Sequence, residues 1–182
     1  MKTENPATPF DIRAFAQAAG SRTAQDSLQK YERLAQELSA PAPDLMVNWS
    51  IQGEARPVPG EAPEIWLHVQ ADTCLPLTCQ RCLTPVEVPL AVDRSFRFVA
   101  DEDTAAALDD ESEDDVLALD QEFDLTNLIE DELLMEIPLV PRHDVCPVAV
   151  KLEVVDPDFE AALAEKPKPF AALAQLRKGG SD

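Results

Sequence analysis

The chain has 182 residues, a formal net charge of −20 and a sequence pI of about 4.3, a surface that nucleic-acid phosphates repel unless a local basic patch intervenes. No apolar run is long enough to cross a bilayer, and Met1–Phe10 lacks the charged start and apolar stretch of a signal peptide, so the expectation is a cytoplasmic protein, away from membranes, whose four cysteines are thiols or metal ligands rather than a disulfide framework. Hydrophobic content of 45% suffices for a core, but with 5% aromatics Leu, Val and Ala must fill most of it, and 16 prolines against 5 glycines favour extended connections.

In chain order, Phe10–Gly20 carries Phe10, Ile12, Phe15 and Ala19 and reads as either an extended docking arm or a short helix. Ser21–Leu38 places Leu28, Tyr31, Leu34, Ala35 and Leu38 at helical spacing, which predicts a helix ended by Pro41 and Pro43. Asp44–Ala55 alternates strictly, with Leu45, Val47, Trp49 and Ile51 on one face: a half-buried strand. Glu64–Thr73 repeats the alternation through Ile65, Leu67 and Val69, leaving Trp66 and His68 on the other face. Val86–Val99 reads as a strand pair or one bent strand, with Val86, Val88, Leu90, Val92, Phe96 and Phe98 sharing a face.

Asp101–Asp115, DEDTAAALDDESEDD, reads as a mobile acidic loop because like charges repel and core residues are nearly absent. Val116–Leu119 suits one more short strand. Asp124 then caps a helix over Leu125–Glu136, with Leu125, Leu128, Ile129 and Leu133 inward and Glu130, Asp131, Glu132 and Glu136 outward. The fold class expected from this order is α+β: a curled, mainly antiparallel sheet packed by the Ser21–Leu38 and Leu125–Glu136 helices. Residues 1–150 would form a single domain, including the arm and the loop at 100–115, and residues 151–182 a tail holding two weak helical tracts and the only positive bias, Lys166, Lys168, Arg177 and Lys178.

The chemistry-bearing residues sit at two places. Cys79 and Cys82 form a C-x-x-C hook, with Arg81 inside it and Cys74 five residues upstream; His143 and Cys146 stand at H-x-x-C spacing after the second helix. A tight turn brings two thiolates to one side, and structural zinc takes four N/S ligands in a tetrahedron, so Cys79, Cys82, His143 and Cys146 are the candidate metal set. Three other readings stand beside it: reduced thiols acting as small buried hydrophobes, a redox pair, and a disulfide. The redox pair lacks the usual strand-to-helix setting, since Leu83-Thr-Pro85 breaks any helix there. There is no phosphate-cradling glycine loop, no G-x-S-x-G and no H-E-x-x-H.

Taken in sequence, LTCQRCLTPVEV, the acidic stretch, FDLTNLIEDELLMEIPLVPRHDVC and KPKPFAALAQLRK resemble the YceD family, over Leu77 to Lys178 closely and over the N-terminal quarter loosely. The resemblance implies a ribosome biogenesis factor that supports accumulation of large-subunit (23S) ribosomal RNA, with no catalytic activity; Cys79, Cys82 and Cys146 match cysteine positions of the family. The expected partner is a ribosomal protein or a pre-ribosomal particle of the large subunit, with the Asp101–Asp124 segment imitating phosphates toward a basic protein. Its rivals are direct RNA binding through Arg94, Arg97 and the Lys166–Lys178 tail, and a thiol–disulfide oxidoreductase using Cys79 and Cys82.

Overall fold

The computed structural model describes residues 10–109, 115–119, 123–149, 154 and 158–159. The chain divides into two compact units, Met1–Cys146 and Pro147–Asp182, and the sheet, its helices and the cysteine–histidine cluster all belong to the first. The helical tracts expected in the tail lie outside the described residues.

The first unit is α+β, built on one open sheet of five strands in the order β1-β2-β3-β4-β5: β1 Ser21–Ser27, β2 Met46–Arg56, β3 Glu64–Thr78, β4 Pro85–Val99 and β5 Asp115–Ala118. The first four pair antiparallel as neighbours, and β5 joins β4 in parallel. Alternation sets the register. Ile51 faces Val69 across β2–β3, and Leu67 faces Phe96 across β3–β4, so one sheet face is continuously apolar. The Val86–Val99 stretch is a single long strand rather than a pair, and β3 runs past Thr73 to Thr78 because Leu75 and Leu77 keep the period and stay buried.

That face is covered by α1 (Ile12–Gln17), by a 3-10 turn at Leu28–Lys30 leading into α2 (Glu32–Gln36), and by α4 (Leu125–Met135). Ile12, Ala16, Leu28, Tyr31, Leu34, Ile129 and Leu133 enter the core from these pieces. Helix α1 sits tightly on β2: a Cβ at Gly53 would stand 2.8 Å from the Ala16 Cα, so only glycine admits this approach. Of the two readings of Phe10–Gly20, the short helix is the one found, over Ile12–Gln17.

Three expectations are corrected. Ser21–Leu38 is not one helix. Its apolar period begins only at Leu28, and the polar stretch before it is taken up by ladder bonds to β2 as an edge strand. There Asp26 accepts hydrogen bonds from Lys30 and from the Trp49 indole N–H. The front of the acidic segment is helix α3, Glu102–Asp109, rather than loop. The Ala-rich core of this stretch favours helix, Asp101 accepts from the Thr104 N–H and hydroxyl at its start, Glu102 and Asp103 suit the positive end, and Ala105 is buried.

The third correction concerns α4. Asp124 caps it as expected, accepting from Thr126 N and Asn127 N. However, Glu130 and Glu132 point inward and are buried. Glu130 accepts from Arg33 N, Leu34 N and the Arg33 guanidinium, tying α4 to the start of α2. Glu132 pairs with Arg94 of β4 at 3.3 Å, and Arg94 also reaches Asp115 of β5. These two arginine–carboxylate pairs set where α4 ends and therefore where the following segment, 138–146, begins. Among the described residues, no helix is long and apolar enough to cross a membrane.

Candidate metal centre

The tip of the β3–β4 hairpin is a six-residue turn, Cys79-Gln-Arg-Cys-Leu-Thr84, closed by hydrogen bonds from Cys79 N to Thr84 O and from Leu83 N to Cys79 O. Leu83 takes a positive φ of 60°, which lets the chain reverse within this span. Past α4, Pro138 and Pro141 rule out a further helix before Cys146, and the extended segment is led back over the tip. Gln80 N donates to Pro141 O at 2.8 Å. Arg81 then clamps the return: its Nε donates to the Cys146 sulfur at 3.0 Å, and its Nη2 donates to the carbonyls of His143 and Asp144 at 3.0 and 3.2 Å.

This brings together all four candidate ligands, although about sixty residues separate the two hooks. The donor atoms of Cys79, Cys82, His143 and Cys146 all lie within 4.8 Å of one another. Cys82 Sγ is 3.5 Å from His143 Nδ1 and 3.2 Å from the Thr84 hydroxyl. Cys79 is fully buried and the other three partly so. Cys74 stands apart on β3, exposed, beside Glu87; burial and then that carboxylate hold its thiol above the ordinary range. His68 is also apart, with its ring bonded to Ser95 and near Asp93.

The electrostatics suit anionic sulfur. Burial pushes the Cys79 thiol up, but backbone N–H groups of His143, Cys82 and Arg81, with the His143 ring, outweigh it and bring the pKa down to about 5. The Thr84 hydroxyl, against the opposing effect of burial, lowers Cys82. The bond to Cys79 raises His143. Cys146 is raised by burial, which its bond from Arg81 partly offsets. The Arg81 guanidinium thus acts mainly on Cys146, while backbone amides do the larger part at Cys79. Thr84 and the Gln80–Pro141 bond were not singled out in the sequence; the only signal for them is their place in and beside the turn.

Three thiols and one imidazole, with amides aimed at the most buried sulfur, make a donor set suited to zinc or another thiophilic ion, which holds such ligands at about 2.0–2.3 Å. Such an ion takes thiolates and a neutral imidazole, so binding would release any protons still held by the ligand atoms. Cys79 offers no surface to an attacking thiol, whereas Cys82 and Cys146 are partly exposed.

Comparison with known proteins places this geometry in context. A family model described as "Large ribosomal RNA subunit accumulation protein YceD" matches residues 67–177, a span that holds the hairpin tip, α4 and the returning segment. A Haemophilus influenzae protein with the same description is 36% identical over 104 residues, which cover 56% of this chain; the chain spans 59% of that relative's length. No solved structure matches.

Proposed function

Because the chain belongs to the YceD family of large ribosomal RNA subunit accumulation proteins, we propose that it is a ribosome biogenesis factor that supports accumulation of large-subunit (23S) ribosomal RNA by holding a ribosomal protein or pre-ribosomal particle. It works as a binding protein rather than an enzyme, in the cytoplasm where ribosomes are assembled. The observation that supports a protein partner over bare RNA is where the charge lies. The net charge is −20, and the two strand arginines that would have faced RNA are already engaged, Arg94 by Glu132 and Asp115 and Arg97 by Glu64 at 2.8 Å. No lysine or arginine occurs from Phe98 to Pro141, so apart from Asp115, Glu130, Asp131 and Glu132, which pair with Arg94 and Arg33, the acids of this span have no cation nearby in sequence and would attract a basic partner.

As part of the same reading, Cys79, Cys82, His143 and Cys146 hold one structural zinc ion, supported by the convergence of their donor atoms within 4.8 Å. Zinc there crosslinks the hairpin tip to the segment after α4; it supplies stability and no reaction step. Elemental analysis of protein purified without chelators should give one zinc per chain, and a metal-free chain with all four thiols reactive in the native state would remove this part.

The test of the main reading changes Glu102, Asp103, Asp110, Glu111, Glu113 and Asp114 to their amides. Asp101, Asp115 and Asp124 are spared, because they cap α3, pair with Arg94 and cap α4. This variant should fold normally and bind the basic proteins extracted from large ribosomal subunits more weakly than wild type. Wild-type binding should fade as salt rises, since charges are screened beyond about 8 Å at physiological ionic strength. Unchanged protein binding, or tighter binding of ribosomal RNA by wild type than of the proteins, would end the reading.

A further inference from the structure

Among the described residues up to Cys146, six large apolar side chains are exposed: Met46, Leu83, Met135, Leu139, Val140 and Val145. Single exposed apolar residues are ordinary on protein surfaces, but these are not scattered. Five of the six lie at the hairpin tip or between the end of α4 and Cys146. Leu83 is 74% exposed, Val145 84%, Leu139 fully so. Each of Leu83, Leu139, Val140 and Val145 is within two residues of a cluster ligand or of the Pro141 carbonyl that Gln80 holds. Leu83 shows an apolar side chain to solvent from a left-handed backbone position, where a leucine is strained and glycine or asparagine would be easier. A groove of about 490 Å³ lies alongside, lined by Leu77, Leu134, Ile137 and Leu139 with Gln80 and Glu37.

The charge around these residues narrows the occupant. Glu37 lines the groove, and Glu136 and Asp144 are exposed on the chain next to it in sequence; the cations here are Arg142 and Arg81, and the Arg81 guanidinium is already bonded to the Cys146 sulfur and the His143 and Asp144 carbonyls. RNA would meet these carboxylates with its own negative charge, and a second copy would bring another −20 to the contact. A segment with apolar side chains flanked by lysine or arginine fits both features. We propose that Leu83, Leu139, Val140 and Val145 form a docking surface for an apolar segment of a basic protein, held in shape by the bonds that fasten residues 141–146 to the hairpin tip. This rests on the reading of the chain as a holder of basic ribosomal protein, and assigns that role a surface distinct from the acidic stretch. The acids attract the partner and fall silent at high salt, whereas apolar contact persists there.

The experiment compares wild type, a triple variant Leu83→Ser/Leu139→Ser/Val145→Ser, and a conservative triple variant Leu83→Met/Leu139→Met/Val145→Ile. All three positions are exposed, so folding is expected to survive, and circular dichroism with zinc content checks it. The probes are the proteins extracted from purified large ribosomal subunits and, separately, the ribosomal RNA of the same particles. The serine variant should bind the proteins at least tenfold more weakly and lose the part of binding that resists 0.5 M salt, while the conservative variant binds as wild type does. Equal binding by the serine variant overturns the proposal. So does a wild type that dimerises through these residues while its protein binding is untouched, or an effect of the serines on RNA binding alone. The acid-neutralised variant runs alongside. If it loses binding while the serine variant keeps it, the functional reading stands and the docking surface falls; if wild type binds none of the extracted proteins, both fall.

Discussion

The two ends of the β3–β4 hairpin are held by different physics. Toward the Ile65–Phe98 end, Leu67, Val69, Val92, Phe96 and Phe98 lie buried under α1 and α4, and stability comes from apolar area removed from water. At the Cys79–Thr84 tip there is little apolar cover; the chain is held by backbone bonds, the Arg81 clamp and four N/S donors. The first kind of attachment is indifferent to redox state and nearly so to pH. The second depends on the protonation and oxidation of sulfur. One continuous pair of strands thus joins a permanent body to a conditional tip, and the conditional end is the one that presents exposed leucine and valine.

The largest expected effect is at the permanent end. Phe96→Ala, whose side chain is buried opposite Leu67, should cost about 3–5 kcal/mol in chemical denaturation and loosen the whole first unit. A loss confined to the tip would break the distinction drawn between the two ends. The second effect is local. Cys79→Ser, or zinc removal by a chelator, should abolish zinc binding and speed hydrogen exchange in 138–146, while exchange in β2 and the body of β3 and β4 stays slow. If the sheet unfolds together with the tip, the hairpin is one cooperative element and the comparison fails.

How much of this was legible in the sequence follows from the range of each interaction. Strands β2, β3 and β4 were readable because their apolar residues alternate locally, and the ligand set was readable because C-x-x-C and H-x-x-C are short-range signals. Strand β1 was not: Ser21–Ser27 has no apolar face, and only its ladder to β2 makes it a strand. Glu130 and Glu132 looked like the wet side of a helix. The arginines that bury them are Arg33, 97 residues from Glu130, and Arg94 on a strand, and nothing local announces such a partner. The front of the acidic segment was misread because charge was weighed ahead of the helix-favouring run Thr104–Leu108 and its Asp101 cap.

A third, smaller prediction sharpens the role of those buried carboxylates in placing the tip. Glu130→Ala would leave Arg33 N and Leu34 N without their acceptor, at a cost of about 1–3 kcal/mol. It should also raise exchange in 138–146, because α4 sets where that segment starts. A stability loss with no change at 138–146 would mean the tip takes its position from the Arg81 clamp alone.

The smallest effects are in pH dependence, where two carboxylates of the body should act with opposite sign. Asp26 is raised by burial but lowered more by its bonds from Lys30 and the Trp49 indole, so its folded pKa falls below the ordinary 3.8. Its contribution is fully present above pH 3.8 and is lost as pH falls through the depressed value. Glu132 is raised by burial, with Arg94 offsetting only part, so its folded pKa stands above the ordinary 4.5. It penalises the folded state at higher pH, and the penalty is relieved as pH falls from above the raised value to 4.5. Melting temperatures of wild type minus Asp26→Asn should therefore shrink on acidification below pH 3.8, while those of wild type minus Glu132→Gln should grow on acidification toward pH 4.5. Other titrating groups cancel in each difference. A flat difference for Glu132→Gln would show that Arg94 compensates the burial of Glu132 in full, and a difference that shrinks on acidification, as for Asp26→Asn, would show that Arg94 more than compensates it.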